Sequence, residues 1–256
     1  MLTFFRRIRQ TLLDSGQTRK YILYAVGEVL LVMIGILLAL QVNNWNERRK
    51  ERALGKENIF KLYTSLEEDL TNIENIIGQL ESQLNSTERL LEIYESDLWE
   101  GLDSVMVLQD VINTSMSIIA ERNENAFDQL MSNGNLKLIV DKTLVNKLTD
   151  FYKSYDSRLA NLNLSPQEIR MTWRTTNSLF YSLSDLRLAQ KNDYQVALSP
   201  NYYQHLQNSQ KAYEILITIQ PSCHFNIKWL NDLRSLGFTV KSYMEKEHFL
   251  ILQSYN

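Results

Sequence analysis

Glycine and proline are both scarce in this chain of 256 residues, at eight and three. A many-stranded fold needs turns rich in both, so their scarcity points to long helices. One cysteine, Cys223, excludes an intramolecular disulfide framework and is compatible with either side of a membrane. The three histidines, His205, His224 and His248, share no ligand spacing, and neither CxxC nor HExxH occurs. No metal site and no cofactor is therefore expected. A Gly-rich phosphate loop and a nucleophile elbow are also missing, so the expectation is a protein that is not an enzyme. Acidic runs such as Glu67-Glu68-Asp69 read as the solvated face of an amphipathic helix.

The net charge of −3 hides an asymmetry. Residues 1–56 hold ten Lys/Arg against four Asp/Glu, and the remainder hold seventeen against twenty-six. A basic, apolar start followed by an acidic body fits a membrane anchor carrying a soluble domain. Nucleic acid is not an expected partner, because the acidic body lacks a basic face to neutralise phosphates.

Tyr21 to Val42 is a run of 22 residues with a single charge. At helical rise it measures roughly 33 Å, one hydrocarbon core. It is too long for the apolar region of a cleavable signal, and QVNNWNE after it offers no cleavage site. The expected organisation is a basic tail at 1–20, a transmembrane helix at 21–42 and an acidic, all-helical soluble domain at 43–256. In the tail, Phe4 and Phe5 share a helical face while Arg6, Arg7 and Arg9 project elsewhere, which suits a short helix in the headgroup layer. Trp45 stands at the other interface, where aromatic residues concentrate. The short tail is the element to which the positive-inside rule applies, so the N-terminus is expected in the cytoplasm and the body outside the inner membrane.

Glu28 is the one charge in the span. Moving the membrane boundary past it would leave only Val29–Val42, about 21 Å, too short to cross. Glu28 therefore lies inside the slab, carrying a proton or facing another protein group. Glu28, Val32, Gly35, Ala39 and Val42 recur at spacings of four and three on one stripe. Gly35 and Ala39 form a small-xxx-small pair that admits a second helix, and Glu28 supplies a polar link across the contact.

Beyond Gly55, the weak point of the helical extension, comes the strongest periodicity. Ile59, Tyr63, Leu66, Leu70, Ile73, Ile77, Leu80, Leu84, Thr87, Leu91, Tyr94 and Leu98 alternate spacings of four and three. This heptad seam predicts a long amphipathic helix over about 56–99, with Thr87 its one polar member. Leu62, Ile76, Leu90 and Ile93 widen the stripe, favouring a bundle core over a coiled coil between chains, with contact between subunits left open. Helical patterning resumes at VMVLQDVINTSMSIIAE, and a break falls at Asn133–Gly134–Asn135. Asp141 reads as an N-cap, and Ser165-Pro166-Gln167-Glu168 as a capping box. Ser199-Pro200 opens another helix, Pro221 stops or kinks the chain, and a last helix starts near Phe225. The fold class is all-α: a transmembrane helix, a long amphipathic helix and a helical bundle.

The segment GEVLLVMIGILLALQVNNWNE (Gly27–Glu47) resembles, nearly letter for letter, part of an uncharacterised family abundant in the Bacteroidetes, domain of unknown function 6090. FFRRIRQ before it is similar, as is AFDQLMSNGNLKLIVDKTLVNKLTDFYKSY (Ala126–Tyr155). The resemblance implies a single-pass envelope protein with a helical soluble domain, and it implies no activity. It also suggests that Glu28 belongs to a family pattern.

The expected function is a non-enzymatic, membrane-anchored scaffold or accessory subunit of an envelope complex. Its partners are the lipid bilayer and either further copies of itself or other membrane proteins. An oligomeric pore or proton-conducting subunit built on Glu28 is the first alternative. The second is a membrane-tethered, ligand-binding sensor bundle, weakened by a tail too short for an output domain.

Overall fold

The computed structural model describes residues 18–96, 100–116, 118, 120, 122, 125–164, 166–177, 187, 191–192 and 206–255. Among these, 90% are helical and none lies in a strand, which is the all-α class that the scarce turn residues imply. In chain order come α1 (Thr18–Ser96), α2 (Ser104–Ser115), α3 (Ala126–Ser132), a 3-10 turn (Asn135–Leu138), α4 (Lys142–Leu164), α5 (Pro166–Asn177), α6 (Gln210–Glu247) and α7 (Phe249–Gln253). The chain divides into two units, Met1–Glu57 and Asn58–Asn256.

In the first unit, α1 is long and apolar enough to cross a membrane and buries none of its most apolar stretch. Among the described residues it is the only helix with that character. Phe4, Phe5, Arg6, Arg7 and Arg9 lie outside the described residues.

In the second unit the heptad seam is a core. Leu66, Ile73 and Leu80 are fully buried, and so are the flanking Leu62 and, within 3%, Ile76 and Leu90. The stripe is filled from within the chain by α6, which runs antiparallel to α1. Tyr63 Oη donates to Glu245 Oε1 at 2.8 Å, Lys241 pairs with Glu67 at 2.7 Å, and Arg234 reaches Glu74 at 3.6 Å. One core cluster joins Ile59–Leu80 of α1 to α4, α3 and the second half of α6. A second joins Leu84–Leu91 to α2, Trp173 of α5 and the first half of α6.

The polar seam member has a specific role. Thr87 Oγ1 donates to the Gln83 carbonyl at 2.8 Å and lies 3.3 Å from Thr114 Oγ1, while Gln83 Nε2 donates to the carbonyls of Thr114 and Met116. These carbonyls belong to the end of α2, where the helix has no partners of its own for them. The helix stops there because Met116 turns extended (φ −64°, ψ 132°), so the patterning read through Glu121 outruns the element.

The cap expected at Asp141 and the break expected at Gly134 are both present, and Asn125 adds a cap that the sequence reading did not name. Asp141 Oδ1 accepts from the Leu144 N–H at 3.0 Å at the start of α4. Asn125 and Asp128 form a reciprocal capping box on α3, and Gly134 supplies the left-handed residue (φ 65°) at the break. Ser165 and Ser199-Pro200 lie outside the described residues.

A second helix boundary also differs from expectation. The last long helix begins at Gln210, not near Phe225, and runs through Pro221. An interior proline removes a hydrogen bond and costs about 3 kcal/mol. Here Ile215, Leu216, Ile219 and Cys223 on both sides of it are buried against the second cluster, which outweighs that cost.

At Gly237, α6 packs closely against α1 and α4. A Cβ there would lie 2.7 Å from Leu70 Cδ2 and 2.9 Å from Phe151 Cε2, both in the core. Gly237→Ala gains about 1 kcal/mol of helix propensity but overpacks by 1–3 kcal/mol. The expected net result is a loss of about 1 kcal/mol in urea unfolding. An unchanged midpoint would show that Leu70 and Phe151 yield freely.

Candidate functional site

On the span, α1 brings Glu28, Val32, Gly35 and Ala39 to one face, as the 3.6-residue turn requires. Val32 is 57% exposed, Gly35 and Ala39 are exposed, and Glu28 is of intermediate exposure. A Cβ at Gly35 would meet nothing within 4 Å, so the backbone there is open to close approach. Trp45, 64% exposed, follows on the same helix.

In the body the structure assembles a polar site that the sequence reading placed in solvent. Glu68 is exposed and Glu67 is paired with Lys241, but Asp69 is only 6% exposed. The expectation of a solvated Glu67-Glu68-Asp69 face is therefore corrected at Asp69. Leu62, Asp69, Ile76, Gln83 and Leu90 recur every seven residues along the flank of the seam. Asp69 and Gln83 thus occupy core register, and that spacing is the signal that could have found them.

Asp69 Oδ2 accepts from Asn125 Nδ2 at 2.8 Å and from Tyr152 Oη at 3.0 Å. Asn125 is the cap of α3, so the carboxylate ties α1 to both α3 and α4. Arg122 sits over the Tyr152 ring at 5.0 Å and makes paired contacts with Asp128 (2.7 Å) and Asp156 (2.9 Å). Burial pushes the Asp69 carboxyl up to about 6, against the pull of the Tyr152 and Asn125 hydrogen bonds and the Arg122 charge. Burial, with the charge of Asp69, also raises the Tyr152 phenol. Asp69 lines a polar groove of about 410 Å³ together with Ser65, Glu68, Asn72, Asn125 and Gln129.

A second carboxylate, Asp141, receives Tyr243 Oη at 3.0 Å and His248 Nε2 at 2.9 Å besides capping α4. Burial works against its ionised form, but the bonds from Leu144, His248 and Tyr243 win and lower it below the usual range. Its role is to bind the end of α6 to the start of α4. His224 lies 3.2 Å from Glu88 at the surface, and His205 is outside the described residues. Among the described residues no three metal-ligating side chains converge.

Comparison with known proteins places these features in a family. The model of the family of unknown function DUF6090 matches residues 28–195, well over half of the chain. The chain belongs to DUF6090. The match starts at Glu28, takes in the Gly35–Ala39 pair and Trp45, and continues through Asp69, Asn125 and Tyr152 past the end of α5 to residue 195. The DUF6090 region thus includes every residue of the Asp69 network, whereas α6, which fills the seam, lies beyond it. No curated protein and no solved structure matches the chain.

Proposed function

We propose that this DUF6090 protein is a membrane-anchored accessory or scaffold subunit of an envelope complex, without catalytic activity. It assembles with other membrane proteins, or with further copies of itself, through Glu28, Val32, Gly35 and Ala39. The observation that carries the reading is the span's face, where a carboxylate lies above a glycine with open space around its Cα. In hydrocarbon an acid is costly, and close packing beside small residues gives it a second helix to bond. The body, a bundle whose seam is already filled by α6, is presented by this anchor as a binding surface.

Cross-linking of the full chain in native membranes tests this. Glu28→Leu should weaken recovery of the cross-linked species about three- to fifteen-fold, the range of one intramembrane polar contact, while Glu28→Gln retains most of it. Cross-links unaffected by Glu28→Leu would overturn the reading. Intact assembly with altered proton flux in Glu28→Gln would replace it with the conducting subunit. The short basic tail supports our placing of the protein in the inner membrane with the N-terminus inside and the body in the periplasm. A C-terminal alkaline phosphatase fusion should be active and a cytoplasmic reporter silent.

A further inference from the structure

Immediately past the apolar run, α1 carries a second face whose chemistry the proposed assembly does not use. At 100° per residue, Trp45, Arg48, Arg49, Arg52 and Lys56 all fall within an arc of about 100°. Glu47 and Glu51 lie about 100° or more from the centre of that arc, and Lys50 lies almost opposite. Glu47 is engaged by Asn43, whose Nδ2 donates to Oε1 at 3.2 Å. Among the described residues no carboxylate pairs with Arg48, Arg49, Arg52 or Lys56. Five residues of one stripe thus present one aromatic ring and four cations with no internal counter-charge.

Along the line of this stripe the apolar run offers Ile34 and Leu38, with Leu37 at its edge, all exposed. A shallow groove lined by Leu37, Trp45 and the four cations joins the two halves. Side chains on a helix lean toward its N-terminus, so these guanidinium groups point back toward the apolar end. Arg48 is six residues past Val42, about 9 Å along the axis, within the depth of a headgroup layer. An apolar strip ending in an aromatic ring and then paired guanidiniums is complementary to an acyl chain, its glycerol region and an anionic phosphate. Arginine binds phosphate through paired N–H donors.

We infer that Trp45, Arg48, Arg49, Arg52 and Lys56 form a binding face for anionic phospholipid, with Ile34, Leu37 and Leu38 receiving the acyl chain. The face lies well round the helix from Glu28, Gly35 and Ala39, so lipid and a partner helix occupy it together. An acidic protein would meet the same cations, but the apolar half of the groove lies within the run that α1 offers to a bilayer.

The test uses the full chain reconstituted in vesicles of equal parts phosphatidylcholine and phosphatidylglycerol, with spin-labelled forms of each lipid as probes. The wild type should immobilise the phosphatidylglycerol probe about fivefold more than the phosphatidylcholine probe. High salt should reduce the preference. R48Q/R49Q/R52Q should bring it to parity with helix content unchanged, R48K/R49K/R52K should keep much of it, and K50Q, on the far side, should keep all of it. Parity in the wild type, or a preference that survives the triple glutamine variant, would overturn the inference. Equal loss in K50Q would show a diffuse basic flank and overturn it too. An acidic protein cross-linked to the stripe, with no lipid preference in vesicles, would replace it with a protein-docking face.

Discussion

Trp173→Ala is expected to lower the stability of the body by about 3–5 kcal/mol, the range for emptying a large aromatic site. Trp173 is fully buried where α5 meets α2 and the first half of α6. Its neighbours in that cluster are Leu84, Leu90, Val107, Val111 and Leu216, which come from three separate helices and cannot all relax inward. Its indole N–H also donates to the Val111 carbonyl at 3.1 Å, so truncation removes a buried hydrogen bond with the ring. Trp173→Phe separates the two effects. It keeps most of the volume and should cost about 1–2 kcal/mol. Urea unfolding of the full chain in detergent, followed by far-UV circular dichroism, gives both values. A loss below about 1 kcal/mol for the alanine variant would mean that α5 is not held in this core.

The second large effect is on pH dependence, and its direction is opposite to common acid denaturation. Asp69 has a folded value of about 6 against an ordinary 3.8, raised by burial. Between those values the folded state holds a proton that the unfolded state has released. Stability therefore falls as pH rises from about 4 to about 6 and is level above that. The shift corresponds to about 3 kcal/mol, or roughly 6–12 °C in Tm for a body of this size. Asp141 acts in a different window. Its value is depressed, so its contribution is full above the ordinary carboxylate range and is lost only at lower pH. A Tm profile should accordingly be level down to about pH 6 and rise from there to about 4.5 before acid unfolding sets in. Asp69→Asn should flatten the rise, since an amide oxygen can still accept from Asn125 and Tyr152. A wild-type profile level over this range, or a slope unchanged in Asp69→Asn, would place the titration elsewhere.

Much of the body was readable because its signals are local. The seam from Ile59 to Leu91 is a statement about which residues share a helical face, and a face of leucine and isoleucine has to be covered. Asp141 and Gly134 are cap and turn residues, whose preferences act over three or four positions. The helix start expected near Phe225 failed because the local effect of Pro221 is real but is overcome by burial on either side of it, supplied in large part by α1 and α2 residues more than a hundred positions away. Asp69 was missed for the same reason. An acid beside Glu67 and Glu68 reads as solvated unless Asn125 and Tyr152 are known to meet it.

What the sequence by itself determined is the helical class, the apolar run with Glu28 inside it, and the register of the long seam. These follow from composition and from spacings within one segment. Only the tertiary structure decided what covers the seam, that α6 runs antiparallel along it, and that Asp69 and Gln83 in core register are buried and bonded rather than solvated. The reason is physical. Periodicity says that a face must be buried, but which distant segment buries it depends on packing and hydrogen-bond partners brought together by the fold.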